Sequence, residues 1–120
     1  MKLEEERKRR IVADIIAHGE SIERIVEMGR PAFFDPRDDR NRIYVEHRLE
    51  SIADAASALG RRFQKGNPSV DWDRLWQFRK DISHPYKEES RPVSVDEIWQ
   101  FAVNEVPHIV RHLRRAKFPK

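Results

Sequence analysis

The chain has 120 residues, of which 38% are hydrophobic and 38% charged, with a net charge of +3 and no cysteine. That length holds one domain with a modest core, and the composition argues against disorder and excludes a disulfide scaffold or a thiolate metal site. The charged start "MKLEEERKRR" and the lack of a long apolar run argue against a signal sequence or a membrane span, so a single cytoplasmic domain over residues 1–120 is expected.

From Leu3 to Met28, Ile11, Ile15, Ile22, Ile25 and Val26 recur at helical spacing, and Gly29-Arg30-Pro31 closes this first helix. Glu4, Glu5 and Glu6 stand four residues before Lys8, Arg9 and Arg10, the spacing of helix-supporting ion pairs. After the loop "PAFF", Asp35-Pro36 offers an N-cap and a proline for the first position of a second helix. Along it Val45, Leu49, Ile52, Ala56, Leu59 and Phe63 alternate four- and three-residue steps, a narrow seam suited to a closely packed helix partner. Gly66-Asn67-Pro68-Ser69 is a turn.

A third helix is expected from near Asp71 to about Ser83, with Trp72, Leu75 and Trp76 facing inward. Ser94 and Glu97 form a capping box that opens a fourth, whose buried face is Val95, Ile98, Trp99, Ala102, Val106, Ile109, Val110 and Leu113. Pro107 inside this helix is expected to kink it. With no strand pattern, the fold class is all-α, an antiparallel bundle of about four helices. Trp72, Trp76 and Trp99 each fall among apolar residues and read as core anchors rather than base-stacking platforms.

Beyond Glu105 no acidic residue follows, while Arg111, Arg114, Arg115, Lys117 and Lys120 do; this is either a tail that attracts polyanions or a complement to the helix dipole, and composition favours the second. His108 and His112 have the spacing of a helical metal pair, but Ile109 replaces a zinc-protease glutamate and no third ligand is evident, so neither metal nor cofactor is expected. His18 and His47 read as surface or partly buried polar residues.

The stretch "FRKDISHPY" brings Arg79, His84 and Tyr86 to a helix end. A continuous helix of about 3.6 residues per turn would aim Arg79 and His84 at separate faces. Pro85 disfavours helix at His84, so the chain can leave the helix and fold the imidazole back toward the guanidinium. A bidentate phosphate binder would then lie beside the side chain that titrates near neutral pH, a pair suited to cleaving RNA through its own 2′-hydroxyl. The residues alone leave this open beside a plainer reading: an arginine capping carbonyls, a surface histidine and a packed tyrosine.

Arg79-x4-His84-x-Tyr86, with "DWDRLWQF" before it, "VSVDEIWQFAVNEVPHIVRHL" after it and "HRLESIADAASAL" upstream, resembles the HepT-like branch of the HEPN superfamily over nearly the whole chain. The resemblance implies a metal-independent endoribonuclease toxin that acts as a homodimer on RNA. Its implied partner is a minimal nucleotidyltransferase antitoxin that can adenylylate the motif tyrosine. Arg79 would bind phosphate, His84 would be the acid/base and Tyr86 the modified residue, with Lys80, Asp81 and Ser83 in supporting positions. The chain departs from the pattern at Lys80, where Asn or Asp is common, at Pro85, and at Ala53, where glycine is usual. Lys80 keeps open an alternative, a catalytically weak HEPN scaffold that binds the nucleotidyltransferase or nucleic acid.

Overall fold

A computed structural model describes residues 2–83 and 92–118. They form α1 (Lys2–Glu27), a short α2 (Arg30–Phe33), α3 (Arg40–Gly66), α4 (Trp72–Ser83) and a last rod made of α5 (Val95–Gln100), a π-helical turn (Phe101–Glu105) and α6 (Val106–Leu113). Among the described residues there is no strand, and the fold is an all-α bundle. α1 lies along α3 and α6, and α3 also meets α4.

The first helix buries Val12, Ile15 and Ile22, while Ile11, Ile25 and Val26 are partly buried at its edge. Gly19 sits where α1 meets α6 so closely that a methyl group there would collide with Val110. Gly29, at φ +91°, ends the run in a conformation that disfavours side chains.

Two expectations about the next segment are corrected. The "PAFF" loop contains the helical turn α2, which accepts Pro31 at its start and drives Phe33 into the core against Trp99, ring centroids 5.1 Å apart. Asp35 caps no helix: its carboxylate accepts from the Arg37 backbone N–H at 2.8 Å, an Asx turn, and Asp38 does the same for Arg40 at 3.1 Å. Two successive turns use up the capping side chains, and α3 starts at Arg40.

All six seam residues of α3 are buried within this one chain, none more than 4% exposed. The closely packed partners that the narrow seam called for are helices of this same chain, with α1 and α4 lying against α3. Gly60, at φ +82°, breaks the helix inside the seam without taking Phe63 out of the core.

In α4, Asp71 accepts from the Arg74 backbone N–H at 3.0 Å and opens the helix, and Leu75 and Phe78 face the core. Phe78 stacks on Phe101 with centroids 4.3 Å apart, which fixes α4 on the last rod. Trp76 is not turned inward. One residue past Leu75 it is rotated about 100° from the core face, and it is 40% exposed. Of the three tryptophans, Trp99 is buried, Trp72 is partly buried with its indole N–H donated to the Asn67 carbonyl at 2.9 Å, and Trp76 stands outside the core.

The last rod opens as expected, with Ser94 Oγ accepting from the Glu97 N–H at 3.2 Å. Ahead of Pro107 the chain winds a π turn, in which the Val106 N–H reaches back five residues to the Phe101 carbonyl. Proline cannot donate to the Val103 carbonyl, and the wider turn lies where that strain falls.

Candidate functional site

The core contacts of Leu75 and Phe78 set the rotation of α4, and that rotation puts Trp76 and Arg79, three residues apart, on its outer face. The Arg79 guanidinium carbon lies 5.6 Å from the centre of the Trp76 ring. Its fork binds Asp54 of α3, with Nε–Oδ1 at 3.0 Å and Nη2–Oδ2 at 3.4 Å. One turn further on, Ser83 Oγ donates to Glu50 Oε2 at 2.7 Å. Since Glu50 pairs with Ser83 and Asp54 with Arg79, residue numbers rise on α3 as they fall on α4, so the two helices run antiparallel here.

Asp81 falls on the same side as Phe78 and is only 4% exposed; Gln77 Nε2 donates to its Oδ1 at 2.9 Å. It is a buried residue of the helix, not an outer-face neighbour of Arg79. Of the other residues singled out in the sequence, Lys80 lies half-buried on α4, and Ser83 closes the helix against α3. His84 and Tyr86 lie outside the described residues, so the structure places Arg79 but does not bring it together with them.

Beside Trp76, α3 and α4 enclose a groove of about 830 Å3 that runs from Trp76 and Leu75 past Ser57 and the Gly60 break to Arg61, Gln64 and Lys65. Asp71 and Asp73 also line it, the former engaged in the helix cap. Asp54 and the exposed face of Trp76 are the functional candidates missed by the sequence reading. The signal for Trp76 was present in its place one position off the Leu75–Phe78 face; Asp54 was not singled out, since its partner is 25 residues away.

The two histidines with metal-pair spacing do other work. His108 Nε2 donates to the Ser69 carbonyl at 2.7 Å. Asn67 Oδ1 accepts from the Lys117 N–H at 2.9 Å and from His112 Nε2 at 3.2 Å, which leaves His112 Nδ1 to accept from Ser69 Oγ. Burial first, then the nearby His108 and Lys117 charges, hold His112 below its usual 6.5 and so favour this neutral form. His18 is likewise lowered, by burial and then by Arg48, which contacts its Nδ1 at 2.8 Å. Among the described residues no three His, Cys, Asp or Glu side chains are grouped to hold a metal ion. In the basic tail, Arg114 pairs with Glu20 at 2.9 Å, and near the N-terminus Arg9 lies over Phe118.

A family model described as Ribonuclease HepT-like matches residues 15–116, a stretch that contains α4 and the positions of His84 and Tyr86. The chain belongs to this family, a branch of the HEPN superfamily. No curated protein and no solved structure matches it. The membership suggests ribonuclease activity, and among the described residues no helix is long and apolar enough to cross a membrane.

Proposed function

We propose that the protein is a metal-independent endoribonuclease toxin, cytoplasmic and homodimeric, in which Arg79 and His84 cut RNA and a nucleotidyltransferase antitoxin silences the site by adenylylating Tyr86. The observation that carries this reading is the family match running through residues 79–86, joined to an Arg79 held at the surface by the core packing of Phe78. Histidine takes the proton from the 2′-hydroxyl, the freed oxygen attacks phosphorus, and the bond to the 5′-oxygen breaks as that oxygen gains a proton. The products are a 2′,3′-cyclic phosphate and a 5′-hydroxyl. Arg79 steadies the charge that builds on the phosphoryl oxygens. Unpaired bases flanking that phosphate would find the exposed indole of Trp76 and the groove beyond it, a stacking platform followed by Arg61 and Lys65.

The test is cleavage of RNA by purified protein in EDTA, with the new ends identified by mass. Wild type is expected to leave cyclic phosphates, and His84→Ala and Arg79→Ala are expected to leave the RNA whole. Cutting by His84→Ala would remove the histidine from the mechanism.

A second reading, a HEPN module that binds nucleic acid or a nucleotidyltransferase without cutting, is favoured by the Arg79 fork being engaged by Asp54, with Glu50 a turn away. It predicts binding of RNA or of the transferase by a protein that leaves every substrate intact.

A further inference from the structure

We propose that Asp54 is a positioning residue for Arg79: it holds one edge of the guanidinium so that the other edge meets the phosphate in a fixed orientation. The inference rests on the ribonuclease reading for the phosphate, and on geometry for the holding.

A guanidinium offers two bidentate edges, one from Nε and Nη2 and one from the two terminal nitrogens. Asp54 takes the first, with bonds to Nε and Nη2, and among the described residues these are the hydrogen bonds that Arg79 makes. The second edge, completed by Nη1, makes no hydrogen bond to any described residue. The Trp76 ring flanks the same group at 5.6 Å, so the cation is confined by a carboxylate on one side and an aromatic face on another. The Arg79 side chain is 21% exposed, against 55%, 57% and 51% for Arg30, Arg74 and Arg114, three arginines that also form an ion pair with another element.

Asp54 itself is 56% exposed, and a pair so open to water adds little to the stability of the bundle. Its effect falls instead on the freedom of a long side chain. An arginine already held in one rotamer has no ordering left to do when a phosphate arrives, and it presents the same edge each time. Without the carboxylate the fork can turn and meet phosphate through Nε, which keeps the attraction and loses the alignment. Removing a negative charge from the site also favours binding of a polyanion. Binding and turnover are therefore expected to move apart.

The experiment compares wild type, Asp54→Ala, Asp54→Asn, Asp54→Glu, Arg79→Ala and the Asp54→Ala/Arg79→Ala double variant. Single-turnover cleavage is measured beside affinity for a 2′-O-methyl RNA that cannot be cut. Asp54→Ala and Asp54→Asn are expected to cut about tenfold more slowly or worse while binding the uncut analogue as tightly as wild type or more tightly. Asp54→Glu should recover part of the rate, and the double variant should be no slower than Arg79→Ala alone. Wild-type cleavage by Asp54→Ala, or a parallel loss of binding and rate, would overturn the proposal.

A second readout needs no activity. The Nε–H of Arg79, identified in nitrogen-15 spectra by its loss in Arg79→Ala, should be a protected signal in wild type and should exchange rapidly in Asp54→Ala. If wild type fails to cut but this signal depends on Asp54, the holding stands and the ribonuclease reading falls. If the signal is indifferent to Asp54, the positioning role is wrong whatever the activity.

Discussion

The two ends of α4 are built on opposite terms. Just before its start, Asn67 is 1% exposed and both ends of its side-chain amide are paired. Its amide donates to the Phe63 carbonyl at 3.0 Å and the Lys117 carbonyl at 2.8 Å, while its oxygen accepts from Lys117 and His112. At the other end Arg79 meets a half-exposed carboxylate beside an indole in solvent. The histidines that looked like ligands are consumed where the network is closed, and the cation that looks like a ligand binder stands where it is open. A buried polar group that is fully paired is costly to disturb and has nothing left to offer a ligand, whereas the Arg79–Asp54 pair leaves one edge of the guanidinium to give. Function is expected at the end with an edge to spare.

The sharpest way to break this contrast is Arg79→Ala. Cleavage is expected to fall by a factor of about 10² to 10³, while urea unfolding shifts by less than about 1 kcal/mol. A variant that unfolds readily would mean that this end is structural after all. Next comes Asn67→Ala, expected to cost about 3 kcal/mol because it strands several buried partners, with cleavage per folded molecule unchanged. A smaller effect is expected from Trp76→Ala, which should weaken binding of single-stranded RNA by about 1–2 kcal/mol and leave the melting temperature where it was. Unchanged binding would take the indole out of the groove's chemistry.

The smallest effect concerns pH. His18 and His112 are both held below 6.5 in the folded protein, so the unfolded chain takes up protons first. Stability present above pH 6.5 should decline as pH falls from there toward the folded values. His112→Gln, which removes one of these groups, should flatten the slope of melting temperature against pH between about 6.5 and 5. An unaltered slope would show that the closed end does not depend on a neutral imidazole.

How much of this could be read from the chain depended on the distance between partners. The Ser94 cap and the run of α4 were legible because their bonds close within one turn. The seam from Val45 to Phe63 was legible as a buried face, but its partner was not, and the helices that cover it come from this same chain. Asn67 reads as a turn residue because its decisive contacts are 45 and 50 residues away. Gly60 escaped notice because the apolar steps continue through it. Trp76 was placed by hydrophobicity alone, when Leu75 and Phe78 had already fixed which way the helix faces. For the candidate site, Arg79 was singled out by its motif and Asp54 was not, since nothing local links positions 54 and 79.

The π turn from Phe101 to Glu105 carries a consequence for how the chain tolerates a deletion. Such a turn holds one residue more than an α-helix of equal reach, so the rod contains a surplus residue. Phe101, the first residue of the turn, stacks on Phe78, and His112 beyond it binds Asn67, so the rod is attached on both sides of the surplus residue. Dropping Asn104, which is exposed, would remove the surplus residue, with Pro107 still lacking a donor to the turn before it. That deletion is expected to give a cooperatively folding protein, checked by a single urea transition. Removal of one residue from α6, where no surplus exists, should swing His112 about 100° away from Asn67 and abolish that transition.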